Sequence, residues 1–414
     1  MTLATGPSEK PAVTSSQGSL THGQLRGDVC GLRRRTPHGA PVVLRTTDPR
    51  LVAAALESLD GWASAVHLVV DGTGIGLPSH AVEIDDRVVD HSRPNGSDQA
   101  RHDAVDTEWM VYTSGTTGEP KSISHRRAGL TRTAVRTNRT AELVWGMLYD
   151  PNRMAGLQVL VQALDSGAHV VVPRPDATLT ERLDFLASHD VTAMSATPTM
   201  WRLILHQDHP GLALRQITLG GEIADQTTLD ALAERFPNAR IVHVFASTET
   251  GAAFSVVDGR AGFPAAYLED PPRGIRLAIR DDVLHVHCPN TGAAGSDGFA
   301  STGDVVEIVD DRVLFRGRAS GVVNVGGANV WPEQVEVALR SHPDVDDAMV
   351  TARPNPVSGQ ILVASIVPAS NVDEVGLSKR VRRWARSRLP NTHVPAMIKV
   401  VHRLDVSPTG KTVR

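Results

Sequence analysis

The chain has 414 residues, a formal net charge of −4 at pH 7, 41% hydrophobic residues and 21% charged residues. This length exceeds what one ordinary hydrophobic core organises and predicts two domains. The weak net charge gives no electrostatic reason to expect a nucleic acid or a membrane surface as partner. No apolar stretch in the sequence approaches the ~20 residues that span a bilayer, and the first residues lack the apolar segment of a secretory signal, so we expect a cytoplasmic location.

The first part of the chain offers little periodic pattern. Residues 1–18 are rich in Ser, Thr, Pro and Gly, which is typical of a loose arm. Cys30 and Cys288 are the two cysteines. One bridge between them is possible, but two thiols in a reducing compartment are the preferred interpretation.

Lysine is rare in a chain that otherwise uses arginine. It occurs only at Lys10, Lys121, Lys379, Lys399 and Lys411. Lys121 and Lys411 each follow a Gly-rich segment. Because arginine does not replace the compact ammonium charge of lysine, these two positions suggest a chemical role, with chance as the alternative.

Strand-like and helix-like patterns alternate through the first three quarters of the chain. Apolar runs at Pro41–Leu44 and Ala65–Val70 flank the helix-like Leu51–Leu59. Between 125 and 260 three helix-like stretches each precede a strand-like one: Gly156–Leu164 and His169–Pro173, Leu179–Ser188 and Val191–Ser195, Thr227–Phe236 and Arg240–Phe245. This alternation predicts a largely parallel sheet covered by helices.

The pattern changes twice towards the C-terminus. Residues 276–316 contain short strands joined by tight turns, which predicts an antiparallel sheet. After Gly317 strands and helices restart in a compact α+β unit. We therefore predict an α/β fold with a large N-terminal domain, residues 1–317, of parallel βα-layered sheets plus a short antiparallel sheet. A small α+β C-terminal domain, residues 318–414, follows it.

The strongest local motif is YTSGTTGEPK, residues 112–121, which follows the apolar strand Trp109–Thr113. Glycines allow backbone N–H groups to turn towards an anion, and hydroxyl groups add further donors. The candidate phosphate-binding residues are Thr113, Ser114, Gly115, Thr116, Thr117, Gly118 and Lys121. The loop is not a Walker A loop, because Pro120 stands before the lysine. A flexible Ser/Gly linker is the alternative.

This motif resembles the phosphate loop of the adenylate-forming superfamily, which includes acyl-CoA synthetases, adenylation domains and luciferases. Four more segments match the family in order: LGGEI at 219–223, VFASTETG at 244–251, STGD at 301–304 with GR at 317–318, and SPTGK at 407–411. Together the motifs cover the chain from about Pro11 to Arg414. The segment 19–25 resembles an early family motif, and fewer residues precede the phosphate loop than is usual in the family.

The resemblance implies a role for each matching residue. The adenine would lie against Phe245 and beside Gly220, Gly221 and Glu222, while Asp304 and Arg318 would bind the ribose. Thr248 would reach the α-phosphate region, Glu249 would help to bind Mg²⁺, and Lys411 would bridge the attacking carboxylate and the α-phosphate. Ser320 would be the hinge, where many relatives carry Asp, and Gly327 would line a thiol tunnel after the small domain rotates.

The residues that line the acid pocket are the part of the site that the sequence defines least. Candidate lining residues are Arg153, Met154, Gly156, Leu157, Thr197, Pro198, Gly220 and Ala246. Met154 falls near the position where amino-acid-activating domains carry Asp, which argues against an α-amino acid. Asp150 is the alternative if the spacing differs. Arg153 replaces a common His and could pair with a second carboxylate or a hydroxyl of the substrate, or could face solvent.

The sequence thus predicts ATP-dependent activation of an aryl or short acyl acid to an acyl-adenylate, with Mg²⁺, followed by transfer to CoA or to the phosphopantetheine of a separate carrier protein. An amide-forming ligase with an amine acceptor is the first alternative. An adenylate-binding pseudoenzyme and a luciferase-type oxygenation are remote alternatives. The pseudoenzyme is disfavoured because Lys121, Glu249, Asp304, Arg318 and Lys411 are all present.

Overall fold

The computed structural model describes residues 2–28, 30–70, 76–88, 103–113, 121–207, 211–248, 250–287, 297–356, 358–407 and 410–412. The helices of this part of the chain are α1 (His22–Arg26), α2 (Leu32–Arg35), α3 (Pro49–Ser58), α4 (Arg127–Thr131), α5 (Asn138–Ala141), α6 (Met154–Ser166), α7 (Leu179–Ser188), α8 (Pro198–Leu205), α9 (Gln226–Arg235), α10 (Pro332–Arg340) and α11 (Leu377–Arg388).

The strands up to residue 147 are β1 (Pro11–Ser15), β2 (Gly18–Thr21), β3 (Val42–Arg45), β4 (Ala65–Val69), β5 (Val82–Asp85), β6 (Glu108–Thr113), β7 (Lys121–His125) and β8 (Val144–Met147). Those up to residue 264 are β9 (His169–Val172), β10 (Ala193–Ala196), β11 (Gln216–Gly220), β12 (Arg240–Ser247), β13 (Gly251–Val256) and β14 (Phe263–Pro264). The rest are β15 (Arg276–Arg280), β16 (Val283–His287), β17 (Ala300–Val309), β18 (Arg312–Arg318), β19 (Val323–Val325), β20 (Ala328–Val330), β21 (Val345–Asn355), β22 (Gly359–Pro368) and β23 (Met397–Val400).

An eight-stranded sheet forms the centre of the large part, in the order β13-β12-β11-β10-β8-β9-β1-β2. The six inner strands are parallel to one another, and antiparallel β13 and β2 lie at the edges. The carboxyl ends of parallel strands meet at one edge of a sheet, which is where such folds bind ligands. The loops that follow β8, β10, β11 and β12 therefore gather there.

Two further sheets complete the large part. One has the order β5-β3-β4-β6-β7 and is parallel except for its edge strand β7. The other is antiparallel, in the order β14-β18-β17-β16-β15. The predicted βα alternation and the predicted antiparallel sheet over residues 276–316 are both confirmed.

The prediction of a loose arm over residues 1–18 is wrong. Pro11–Ser15 is strand β1, which pairs in parallel with β9, and Ala12 and Val13 are fully buried. Lys10 donates from Nζ to the carbonyl oxygens of Ala141 and of Gly167, the latter at 2.7 Å. The polar composition hid a short apolar strand, whose burial offsets the entropy of ordering the segment. Lys10 thus has a structural role.

The small part has a hydrophobic core of its own. Strands β21, β22 and β23 form a sheet, and β19 and β20 form a hairpin. Helix α11 buries Leu377, Val381 and Ala385, which recur every four residues and so share one face. The separate core, formed by residues between Val323 and Ile398, supports the predicted division into two domains.

Cys30 is buried, and burial, helped by the nearby charge of Asp28, raises the pKa of its thiol to about 11. Cys288 lies outside the described residues. Among the helices that the structure describes, none is both long enough and apolar enough to cross a bilayer.

Candidate active site

The Gly-Gly-Glu loop lies at the carboxyl end of β11. Gly221 has φ +82°, a left-handed backbone conformation that residues other than glycine rarely adopt. The next residue, Glu222, accepts a hydrogen bond through Oε2 from the backbone N–H of Thr199, at 2.9 Å. Because Thr199 lies in the first turn of α8, this bond joins the loops that follow β10 and β11.

Lys411 of the small part lies against this loop. A Cβ atom at Gly221 would be 3.5 Å from Cε and 3.8 Å from Nζ of Lys411, so the lysine side chain lies at van der Waals distance from this position. The lysine loop closes on itself, because the N–H of Ser407 donates to the carbonyl oxygen of Lys411 at 2.8 Å.

Two threonines of the large part bind the lysine loop on either side of Lys411. The hydroxyl of Thr197 donates to the carbonyl oxygen of Gly410. The hydroxyl groups of Thr199 and Thr412 are 3.1 Å apart and share a hydrogen bond. The small part is thus docked with its lysine over the carboxyl end of the main sheet. The sequence analysis placed Thr197 at the acid pocket and did not identify Thr199 at all.

Asp304 and Arg318 meet where β17 pairs with β18. Arg318 donates from Nη1 to Oδ1 of Asp304 at 2.9 Å and to the carbonyl oxygen of Thr302 at 2.8 Å. Burial raises the pKa of Asp304, against the opposing charges of Arg318 and Lys411. The Asp304 carboxyl therefore lies within electrostatic reach of Lys411.

Phe245 lies near the end of β12 in a group of parallel rings. Its ring stacks on Phe254 with centroids 5.2 Å apart and an interplanar angle of 12°. It also stacks on Phe315 at 5.6 Å and 3°. Packing on both neighbours fixes the plane of the ring on which the adenine is predicted to lie.

Thr248 follows β12 and is held by a histidine. His125, buried at the end of β7, donates from Nε2 to the carbonyl oxygen of Thr248 at 2.7 Å. Nε2 therefore carries a proton in this arrangement. The sequence analysis assigned no role to His125, and its position just after the phosphate loop was the only available signal.

The predicted phosphate loop connects two paired strand ends. The backbone of Thr113 pairs with that of Lys121, at the end of β6 and the start of β7, and Lys121 is exposed. Ser114, Gly115, Thr116, Thr117 and Gly118 lie outside the described residues, as does Glu249. Their predicted roles stay predictions.

The candidate acid pocket lies around the start of α6. Met154 is 7% exposed, and its Cε is 3.2 Å from where a Cβ of Gly251 would lie. Gly156 allows the helix to pass close to the preceding loop, because a Cβ there would be 2.2 Å from the carbonyl oxygen of Asp150. Arg153, at the N-cap, is 3.9 Å from the Asp150 carboxylate.

The other predicted pocket residues lie on three different elements, α6, α8 and β12. Leu157 is fully buried in the main core, Pro198 begins α8, and Ala246 is half-buried in β12. Tyr149, which the sequence analysis did not single out, follows β8. Burial raises the pKa of its phenol, a hydrogen bond with Ser195 on β10 opposes this, and the Glu222 carboxylate reinforces it.

The segment that joins the two parts contains the predicted hinge. Ser320 is exposed in a 3-10 turn, Ala319–Gly321. Gly317, just before it, has φ +147°, and a Cβ there would be 2.6 Å from Oε2 of Glu333. Gly327 has φ +88° in the β19–β20 turn and donates its N–H to Oδ1 of Asn324 at 3.1 Å.

Comparison with known proteins gives the family. The model of the AMP-binding enzyme family matches residues 36–330, and that of the AMP-binding enzyme C-terminal domain matches residues 334–411. The chain is 27% identical over 338 residues to a 2-succinylbenzoate–CoA ligase of Bacillus velezensis, which covers 75% of this chain and 68% of that protein.

Two solved structures share the fold. The anthranilate CoA ligase AuaEII in complex with anthranoyl-AMP has a TM-score of 0.78 and 18% identity, over 98% of this chain and 93% of that one. The amide bond synthetase McbA from Marinactinospora thermotolerans has a TM-score of 0.71 and 19% identity, over 99% and 96%. The matched family models span most of the chain, and the chain therefore belongs to the AMP-binding enzyme family.

Proposed function

We propose that this protein condenses an aryl or short acyl carboxylic acid with ATP to give an enzyme-bound acyl-adenylate and pyrophosphate. It then transfers the acyl group to a thiol, of CoA or of a carrier protein. The observation that carries this proposal is the position of Lys411, which is held against Gly221 by Thr197 and Thr199, within electrostatic reach of Asp304.

The charges around this site suit an attack on the α-phosphate. As the carboxylate approaches, negative charge concentrates between it and the phosphate, and a fixed ammonium stabilises that state more than the separated reactants. Lys411 would supply this charge. Asp304 would accept hydrogen bonds from the ribose hydroxyls, with Arg318 holding the carboxylate, and Phe245 would bind the adenine ring.

A magnesium ion would accompany the phosphates, since a hard cation prefers carboxylate and phosphate oxygens and neutralises their charge. Its predicted protein ligand, Glu249, lies outside the described residues. We expect Lys411, which lies against Gly221, and Lys121, at the start of β7 after the phosphate loop, to contribute positive charge beside the phosphates.

The acid is proposed to be aryl or short acyl. Met154 presents a thioether, which binds no ammonium group, and it abuts the loop at Gly251. Acids that carry an aromatic ring also occur in the names of two similar proteins, 2-succinylbenzoate and anthranilate. Arg153 would remain available to a second polar group of the acid, because its contact with Asp150 is long, at 3.9 Å.

The acceptor is proposed to reach the site after the small domain rotates about residues 317–321, which withdraws Lys411 and brings the Gly327 turn to the site. An amide-forming ligase is the second candidate. The observation in favour of this candidate is that an amide bond synthetase has the same fold.

Pyrophosphate exchange tests the first step. We would incubate the protein with ATP, labelled pyrophosphate and a panel of benzoates, hydroxybenzoates, short aliphatic acids, dicarboxylic acids and amino acids. Exchange that depends on one class of acid and is lost by about 100-fold in Lys411→Ala is the expected result. Lys399→Ala, which removes an exposed lysine from β23, is the matched control. Normal ATP binding without exchange for any acid would contradict the proposal.

A further inference from the structure

Four charged side chains meet in the buried contact between the two parts of the molecule. Arg202 on α8 and Asp225 at the N-cap of α9 come from the large part. Arg340 on α10 and Asp347 on β21 come from the small part. All four are buried, with 8% of the surface exposed in Arg202 and Arg340, 3% in Asp225 and 5% in Asp347. We call these four residues the interdomain cluster.

The short contacts of the interdomain cluster all cross between the two parts. Arg340 donates from Nη2 and Nε to Oδ2 of Asp225, at 3.0 and 3.2 Å. Nε of Arg202 is 3.0 Å from Oδ1 of Asp347. Contacts within each part are longer, 3.9 Å between Arg202 and Asp225 and 3.8 Å between Arg340 and Asp347. Each part thus contributes one cation and one anion to an alternating square.

Two further polar contacts border the interdomain cluster. Glu336 on α10 is 3.9 Å from Arg340 and accepts a hydrogen bond from the N–H of Val350. Beside the cluster, Nδ1 of His206 is 3.2 Å from Oδ2 of Asp346, a second polar contact that crosses between the parts. Burial disfavours the charged form of Asp225, but the Arg340 and Arg202 guanidinium groups outweigh it and lower the pKa of this carboxyl.

This arrangement suits a contact that forms and separates. Buried ion pairs add little net stability, because desolvation offsets their attraction, but they enforce one geometry. When the two parts separate, each retains a cation and an anion already within 4 Å of each other, so Arg202 and Arg340 each keep a partner of opposite charge. A purely apolar contact of the same size would expose hydrophobic surface on separation instead.

The interdomain cluster is connected to the catalytic lysine loop. Arg202 donates from Nη2 to the hydroxyl of Thr199 at 2.9 Å, and that hydroxyl shares a hydrogen bond with Thr412. The backbone N–H of Thr199 binds Glu222, three residues before Asp225. The large-part charges therefore lie on α8 and at the N-cap of α9, directly after the two loops that contact the Lys411 loop.

We propose that the interdomain cluster is a reversible latch which holds the small domain in the arrangement that presents Lys411 to the nucleotide. Its four residues are positioning residues for acyl-adenylate formation and are dispensable for the later acyl transfer. The latch rests on the proposed function, since it assigns the cluster to one of the two half-reactions.

Single neutral substitutions test the latch. Asp225→Asn keeps the helix cap, because Oδ1 accepts the N–H of Thr228, but loses the charge that faces Arg340. Arg340→Gln removes the opposite charge, and Arg340→Lys keeps it without the two-pronged geometry. Arg260→Gln breaks an exposed ion pair with Asp311, far from the contact, and is the control.

Two rates are measured for each variant with the acid identified by exchange: pyrophosphate exchange, and transfer from supplied acyl-adenylate to a thiol acceptor. We expect exchange to fall at least tenfold in Asp225→Asn and Arg340→Gln, less in Arg340→Lys, and not in the control. Transfer should stay within twofold of the unmodified protein or rise. An equal fall in both rates, or no fall in exchange, would overturn the latch.

Amide hydrogen exchange separates failure of the latch from failure of the proposed function. In Arg340→Gln we expect faster exchange at residues 197–202 and 405–407 with unchanged protection in the core strands β21 and β22. If the unmodified protein activates no acid, the proposed function fails, and this measurement alone decides the latch. Unchanged protection at both segments would then refute it.

Discussion

The hydroxyl of Thr197 donates a hydrogen bond to the carbonyl oxygen of Gly410, the residue before Lys411, the predicted catalytic lysine. The same hydroxyl accepts the N–H of Met200 at 3.1 Å and so caps α8. One side chain therefore both begins a helix of the large part and binds the lysine loop of the small part.

Replacement of Thr197 should affect catalysis more than stability. Thr197→Val keeps the shape but removes both hydrogen bonds. We expect pyrophosphate exchange to fall about tenfold and the free energy of unfolding to fall by about 1 kcal/mol, the usual value of a helix cap. Thr197→Ser keeps the hydroxyl and should retain most activity. Equal exchange rates in the two variants would argue against a role for the Gly410 contact.

The Asp304 carboxylate should affect ATP binding rather than the chemical step. Asp304→Asn leaves a weaker acceptor for the ribose hydroxyls and removes the charge that faces Arg318, which keeps its hydrogen bond to the carbonyl oxygen of Thr302. We expect the KM for ATP to rise about tenfold or more, with a smaller change in kcat, as for loss of a charged hydrogen bond. Asp311→Asn, on the adjacent exposed turn, is the control. An unchanged KM for ATP would remove Asp304 from the nucleotide site.

The size of the acid that the protein accepts should depend on Met154. Its Cε lies against Gly251, so Met154→Ala opens space at the start of α6. We expect kcat/KM for a bulkier ring-substituted acid to rise about tenfold relative to the preferred acid, the usual effect of one to two methylene groups. Met349→Ala, on β21 of the small part, should leave the ratio unchanged. A constant ratio in Met154→Ala would place this residue outside the pocket.

Two nearby glycines should respond differently to alanine. A Cβ at Gly317 would be 2.6 Å from Glu333 Oε2 and 2.9 Å from Trp331 Cδ1, at φ +147°. At Gly321 the nearest atoms are 3.8 and 4.0 Å away. We expect Gly317→Ala to lose about 1–3 kcal/mol of stability and to slow acyl transfer, and Gly321→Ala to change stability by less than about 0.5 kcal/mol. Urea denaturation and the transfer rate measure both effects.

The free energy of unfolding should decrease as the pH falls, because the buried His169 resists protonation in the folded protein. Burial, reinforced by the charges of His189, Lys10 and His22, lowers the pKa of His169 to about 4, and Thr14 binds its Nε2 at 2.8 Å. The unfolded histidine binds a proton near pH 6.5. Above about pH 6.5 His169 is neutral in both the folded and the unfolded protein. As the pH falls from 6.5 to 4, protonation of the unfolded state lowers the free energy of unfolding by about 3 kcal/mol.

Chemical denaturation at several pH values measures this effect. His169→Gln should flatten the decline between pH 6.5 and 4, whereas His80→Gln, at an exposed position, should not. If His169→Gln leaves the pH profile unchanged, other buried groups control the acid sensitivity. His243, whose pKa burial lowers to about 4, is then the next residue to replace.

The sequence predicts the parts of this molecule that depend on local pattern. Helix Leu179–Ser188 has the predicted bounds, and the strand before the phosphate loop differs by one residue. Such elements follow from periodicity within a short window. Strand β1 was missed because its stability comes from pairing with β9, more than 150 residues away.

The same distinction applies to the site. Lys411 and Asp304 stand in segments that resemble motifs of a known family, so the sequence alone is enough to predict a role for each. Arg202 and Arg340 carry no local signal, because their significance arises only when two separately folded parts come into contact. Tyr149 was missed for a related reason, since its partner Ser195 lies on a neighbouring strand.

The parallel rings of Phe245, Phe254 and Phe315 come from two different sheets, β12 and β13 on one side and β18 on the other. Their packing continues into the buried core between those sheets. Because the antiparallel sheet buries apolar side chains against the main sheet, we expect it to lose structure in the same thermal transition as the main sheet. Adenine bound beside Phe245 would extend the packing between the two sheets. Nucleotide would then raise the melting temperature of both sheets together.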